Sequence, residues 1–104
     1  MPYHEWSQDW TFAEANTTGA LTAVQVRGQV RQFTFQFVAG AGCTATVQMQ
    51  AAAESSGPFV SIITAANLST SNNQIQQCAG PLDWLRPYCT AKTTGVLYVR
   101  GTGN

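Results

Sequence analysis

The sequence predicts an all-β fold: a single-domain antiparallel β-sandwich, jelly-roll or Ig-like, with about seven or eight strands. Apolar residues recur at every second position in several short stretches. Turn-forming Gly, Pro, Ser and Asn residues separate these stretches at spacings of about 8–14 residues. The chain of 104 residues is long enough to bury most of its apolar surface as one domain.

The strand pattern is clearest in the first half of the chain. Residues 10–12 place an aromatic side chain on either side of a threonine, and a weaker alternation covers residues 21–25. Residues 33–37 alternate Phe with Thr and Gln, and residues 43–51 alternate Cys, Ala, Val and Met with Thr and Gln. The two longer stretches predict half-buried strands with one apolar face and one amide or hydroxyl face.

Turn chemistry separates these strands. Gly40-Ala41-Gly42 predicts a short hairpin between the Phe-rich strand and the strand that follows it. Residues 50–55 are too short for an independent helix and are interpreted as a strand end. The polar residues 64–77 fit either a strand or a projecting loop. The other turns are expected at residues 17–19, 55–58, 69–73, 80–81 and 93–95, and a last strand at 96–100.

Charge is scarce, and this narrows the functional classes. Only 10% of residues are charged, and five Lys and Arg balance five Asp and Glu to a formal net charge of zero. A nucleic-acid-binding protein normally has a basic face, so neither DNA nor RNA nor an anionic membrane is expected as a partner. A dispersed monomer usually carries more charge, so the composition favours a surface that neighbouring subunits cover.

The N-terminus is predicted to be an arm, residues 1–8, ahead of a sandwich domain at residues 9–104. It has neither the basic nor the apolar region of a signal peptide, so synthesis in a cytoplasm is expected. Tyr3 and Trp6 are unusual residues to leave in water. Two interpretations stay open: the arm docks on a neighbouring subunit, or Trp6 packs on the edge of its own sandwich.

No reaction or metal chemistry is expected. The one histidine, His4, lies in the predicted arm, where a general base would be poorly positioned. The cysteines Cys43, Cys78 and Cys89 lie far apart in sequence with no histidine between them, unlike a zinc site. They are predicted to be thiols, and Cys78 and Cys89 would be bridged only if their strands paired. The chain is therefore predicted to be non-enzymatic and to need no cofactor.

Aromatic residues offer an alternative function. Trp6, Trp10, Trp84, Tyr3 and Tyr88 could form a platform for sugar rings, as in carbohydrate-binding modules, with glutamine amides as hydrogen-bonding groups. Against this stands the interpretation that Trp10 and Trp84 are core residues, since large aromatic side chains are mostly buried.

Two segments resemble a known group of proteins. Residues 80–101 run Gly-Pro-Leu-Asp-Trp-Leu-Arg, a strand, a Thr-Gly turn and Val-Leu-Tyr-Val-Arg-Gly. Residues 47–62 run Val-Gln-Met-Gln-Ala to Gly-Pro-Phe-Val-Ser-Ile. They are similar to the C-terminal and middle hairpins of small β-sandwich virion proteins of tailed bacteriophages. Pro87 departs from that pattern and predicts an edge position or a bulge.

The resemblance implies a capsid decoration (cement) protein, or a small baseplate or tail adaptor, located in the virion. Such proteins act as symmetric oligomers, often homotrimers, so the expected partners are copies of the chain and the major capsid protein or another virion protein. Aromatic and Arg residues dominate binding hot spots. The predicted interface residues are Tyr3, His4, Trp6, Trp10, Trp84 and Arg86.

Overall fold

The computed structural model describes residues 6–15, 18–26 and 30–104, and these contain nine β-strands and no helix. The strands are β1 (Trp6–Phe12), β2 (Gly19–Ala20), β3 (Val24–Gln25), β4 (Gln32–Ala39), β5 (Ala45–Ala52), β6 (Val60–Leu68), β7 (Gln74–Ala79), β8 (Trp84–Lys92) and β9 (Leu97–Gly103). They form two antiparallel sheets, so the predicted β-sandwich is confirmed.

The strand order is that of a jelly roll. The first sheet runs β1-β9-β4-β7, and the second runs β2-β8-β5-β6 with β3 also paired to β8. Pairing is nested: β1 with β9, β2 and β3 with β8, β4 with β7, and β5 with β6 at the centre. This nesting is the double Greek key of the jelly roll, which decides between the two predicted sandwich types.

The Gly40–Gly42 turn is not the predicted hairpin. It carries the chain from β4 in the first sheet to β5 in the second, and the amide of Gly40 donates to the carbonyl of Val96 at 2.7 Å. The last two strands, β8 and β9, also lie in different sheets, whereas β5 and β6 form a true hairpin. The turns cross between the layers because each strand has one apolar face, and that face is buried by the opposite sheet.

The core lies between the two sheets. Phe33, Phe35 and Phe37 of β4 are fully buried, and they face Val47 and Met49 of β5. Burying one such side chain contributes about 1.5–3 kcal/mol. The alternation of the sequence therefore determines which residues are left for the outer faces.

Pro87 occupies an interior strand and pairs in regular register with Met49, whereas the register shift of this strand pair falls between Cys89 and Ala91. Neither the predicted edge position nor the predicted bulge is therefore found at Pro87. β8 lies between β5 on one side and the short strands β2 and β3 on the other. The carbonyl of Pro87 accepts from the amide of Leu21, which lies between β2 and β3, at 3.1 Å. In an antiparallel strand, the N–H and C=O of one residue point to the same edge. Pro87, which has no N–H, therefore lacks a donor only on the side that faces the gap between β2 and β3. The ladder between β5 and β8 loses no hydrogen bond to the proline.

Residues 64–77, left open between strand and loop, form the end of β6, a turn and most of β7. The two strands are edges of opposite sheets, and glutamine side chains of β7 join them. The amide of Gln74 donates to the carbonyl of Ala66 at 2.8 Å, and that of Gln76 to the carbonyl of Thr64 at 2.9 Å. These bonds occupy carbonyl groups that an edge strand would otherwise present to other chains.

The cysteines are free thiols. Cys78 lies on β7 in the first sheet and Cys89 on β8 in the second, so the strand pairing that a bridge required does not exist. Burial raises the pKa of both thiols above the ordinary value, and a backbone hydrogen bond to Ala91 partly offsets this for Cys89.

Candidate functional site

Trp6 and Trp10 pack toward the interior of the sandwich. Trp10 is 6% exposed, and the ring of Trp6 meets that of Phe33 edge-on at 5.4 Å between centroids. Gly101 makes room for Trp6, since a β-carbon there would lie 2.8 Å from the indole ring. Trp6 therefore packs on its own sandwich, as the second of the two interpretations predicted.

The predicted arm overlaps the first strand. Residues 6–8 belong to β1 and pair with residues 101–103 of β9, so the boundary at residue 9 does not divide arm from sandwich. Tyr3 and His4, also predicted as interface residues, lie outside the described residues.

Trp84 and Arg86, in contrast, lie on the outside. Leu85, Pro87 and Cys89 of β8 point into the core, so the alternate residues Trp84, Arg86 and Tyr88 point outward from the second sheet. On the neighbouring strand β5 the outward residues include Gln48 and Gln50. We call the surface formed by these five residues the second-sheet face. Tyr88 was not among the predicted interface residues, although the alternation along β8 places it with the other two.

Arg86 is held in one orientation on this face. Its Nε donates to Oε1 of Gln50 at 2.9 Å, and its guanidinium carbon lies 4.0 Å from the ring centroid of Phe59. Gln50 in turn donates to Gln48 at 3.2 Å. No hydrogen bond joins the two terminal nitrogens of Arg86 to another described residue, so they remain available to a ligand.

The aromatic residues of the second-sheet face have small or amide neighbours. Trp84 lies between Gln25 of β3 and Ala52 of β5 in the strand register. Tyr88 lies between Ala20 of β2 and Gln48 of β5. The alanines leave space beside both rings, and both rings are partly exposed.

The outer face of the first sheet has a different composition. Tyr98 of β9 is 50% exposed and Ile75 of β7 is 64% exposed. Toward the β1 edge of this sheet, one arginine nitrogen, Nη1 of Arg100, lies 2.8 and 2.9 Å from the two carboxylate oxygens of Asp9. We call the surface formed by Asp9, Val38, Ile75, Tyr98 and Arg100 the first-sheet face.

Charge is nearly absent from the strands. Among the described strands, four charged residues occur: Asp9, Arg86, Lys92 and Arg100. Asp9 and Arg100 neutralise each other, and Lys92 is buried, donating to the carbonyls of Ala15 at 2.6 Å and Thr93 at 3.0 Å. The unneutralised charge on an outer sheet face, within the residues that the structure describes, is that of Arg86.

Neither a metal-ligand cluster nor a membrane-spanning helix occurs in the described residues. No group of three or more His, Cys, Asp or Glu side chains in residues 6–15, 18–26 and 30–104 is placed to hold a metal ion. None of the same residues forms a helix long and apolar enough to cross a membrane.

Comparison with known proteins places the fold. The crystal structure of the SPBc2 prophage-derived protein YomS is similar, with a TM-score of 0.63 and 16% identity over 99% of this chain and 96% of that one. A chain from a structure of Bacillus endospore appendages, described as disulfide-linked pili, has a TM-score of 0.45 and 15% identity over 97% of this chain and 85% of that one. No protein-family profile and no curated protein matches. The likeness to the prophage-derived protein shows a shared β-sandwich.

Proposed function

We propose that the chain is a non-enzymatic virion structural protein, a capsid decoration (cement) protein that bridges capsid subunits as a symmetric trimer. The observation that carries the proposal is the almost uncharged exterior of both sheets, on which Asp9 and Arg100 neutralise each other. Support of a second kind comes from the prophage-derived protein with the same sandwich. A baseplate or tail adaptor would share these features and differ in where it sits in the particle.

The first-sheet face is suited to contact with a second copy of the chain. Tyr98, Ile75 and Val38 supply exposed apolar area, and the threonines and glutamines around them need no counter-ion when covered. Because the ion pair leaves this face with no net charge, two copies meet without electrostatic repulsion. The residues predicted from the sequence, Tyr3 and His4, remain candidates for a separate contact.

The area of one face argues for an assembly over a simple dimer. Four strands about 4.8 Å apart, each with about seven residues rising 3.3 Å, give a footprint of about 440 Å². A stable pairwise contact buries about 800 Å² on each partner. One face alone therefore gives a weak contact, whereas a subunit that uses this face and a second surface together gains from effective concentration.

The experiment is light scattering of the purified protein, followed by sedimentation with capsids that lack it. A discrete trimer that co-sediments with heads is the expected result, and co-sedimentation with tails instead would move the protein to the adaptor role. A monomer at millimolar concentration that binds neither particle would overturn the proposal. Deletion of residues 1–5 tests the predicted arm contact, and the truncated protein should fold but bind particles less tightly.

A further inference from the structure

The second-sheet face has a chemistry that contact between copies does not require. We propose that it binds an acidic saccharide, a short chain of sugar rings in which at least one ring carries a carboxylate. The sugar rings would lie along β8, over Trp84 and Tyr88, with the carboxylate at Arg86. This proposal concerns the isolated protein, so it goes beyond the virion role and is tested without particles.

The spacing of the three outward residues of β8 suits a linear ligand. Alternate residues of a strand lie about 6.6 Å apart, so Trp84 and Tyr88 are separated by about 13 Å with Arg86 midway. A pyranose ring has C–H groups on its flat faces, and these pack on aromatic rings. The alanines beside Trp84 and Tyr88 leave both rings open to such a contact.

The charge of Arg86 selects an anion. Phe59 and Gln50 fix the guanidinium group, and its terminal nitrogens are left to form the paired hydrogen bonds that arginine makes with carboxylates. No acidic residue lies on the described strands of the second sheet, and the nearest acids in sequence, Asp83 and Glu54, lie beyond its Trp84 end. A carboxylate at Arg86 would therefore meet no acidic side chain on β8 or on the strands paired with it. Holding Arg86 in place beforehand reduces the entropy lost on binding.

The amide groups favour a saccharide over an acidic protein segment. Gln48 and Gln50 lie alongside Tyr88 and Arg86, and each amide offers donors and an acceptor, which match the hydroxyl groups of a sugar. A protein segment would instead bring aliphatic side chains, and the neighbours of Trp84 and Tyr88 on this face are alanines and glutamines.

The first test is titration with a tetramer of galacturonate, with its methyl ester as the neutral control. Trp84 points outward whereas Trp6 and Trp10 face the core, so binding should shift tryptophan emission, and Trp84→Phe should remove the shift. The ester should bind on the order of 10- to 100-fold more weakly, the change expected for loss of a charged hydrogen bond. Equal binding of acid and ester would overturn the proposal.

A matched pair of variants tests the position of the site. Gln50→Glu adds a carboxylate beside Arg86, and Gln36→Glu adds one opposite Arg100 on the first-sheet face. Gln50→Glu should reduce tetramer affinity at least as much as esterification does, whereas Gln36→Glu should leave it within about twofold of the parent. Equal losses in two variants that are folded by circular dichroism would contradict the proposal. So would stronger binding of a poly-glutamate peptide, which would assign the face to an acidic protein.

Discussion

The two outer faces of this sandwich share one construction and differ in chemistry. The first-sheet face combines a tyrosine and aliphatic side chains with an ion pair, Asp9–Arg100, that carries no net charge. On the second-sheet face two aromatic rings flank an arginine whose partners, Gln50 and Phe59, are uncharged. The core determines only every second residue of each strand, so the outward residues are free to specify two different partners.

The largest effects should come from placing the same substitution on opposite faces. Tyr98→Glu puts a charge in the centre of the first-sheet face, and the contact between copies should weaken by about 2–4 kcal/mol, as at an interface hot spot. Its binding of tetragalacturonate should be unchanged. Light scattering and calorimetry measure the two properties on one sample.

Tyr88→Glu is the matched control. It adds a carboxylate to the second-sheet face beside Gln48, so saccharide binding should be lost while the oligomer persists. If either variant lost both properties while remaining folded, the two faces would not be independent surfaces. The distinction between a self-contact and a saccharide site would then be abandoned.

A substitution in the core should affect both faces together. In Gly101→Ala the new β-carbon would lie 2.8 and 2.9 Å from two ring atoms of Trp6 and 3.1 Å from Phe35. We expect a loss of about 1–3 kcal/mol in the free energy of unfolding, measured in urea, as for overpacked cores. Trp6→Leu shortens the facing side chain and should recover part of the lost stability in the double variant. If the two changes were fully additive, contact with the Trp6 ring would not be the cause of the loss.

The packing site of Trp6 is an example of a feature that the sequence did not predict. The alternation in residues 33–37 and 43–51 was sufficient to predict β4 and β5, because a period of two is a local property. The site that holds Trp6 is not local, since it depends on a glycine in the last strand and on Phe33. For the same reason, a short turn such as Gly40–Gly42 gives no information on whether the next strand joins the same sheet. Trp84 and Arg86 were predicted as interface residues by type, and the alternation along β8 adds Tyr88 to them. Only the register of β5 against β8 brings Gln48 and Gln50 beside these residues.

Loss of one edge glutamine should have a smaller effect. Gln76→Ala removes the bond to the carbonyl of Thr64 and a second bond, at 3.1 Å, to Oε1 of Gln74. It should cost about 1 kcal/mol, together with faster aggregation on heating. Gln77→Ala is the control on the same strand, because Gln77 points outward and donates to the hydroxyl of Thr34 at 3.2 Å. Similar aggregation of the two variants would mean that the glutamines do not protect the edge of β6.

The smallest effect concerns alkaline pH. Burial raises the pKa of Cys89 and Cys78, whereas in the unfolded chain the thiols ionise near their ordinary value of about 8.5. The unfolded state therefore loses protons first, and stability should be constant below that pH and fall as pH rises toward the folded values. Chemical unfolding between pH 7 and pH 10 measures it, and Cys89→Ala should show a shallower decline than the parent. An unchanged slope in that variant would mean that the Cys89 thiol does not contribute to the pH dependence.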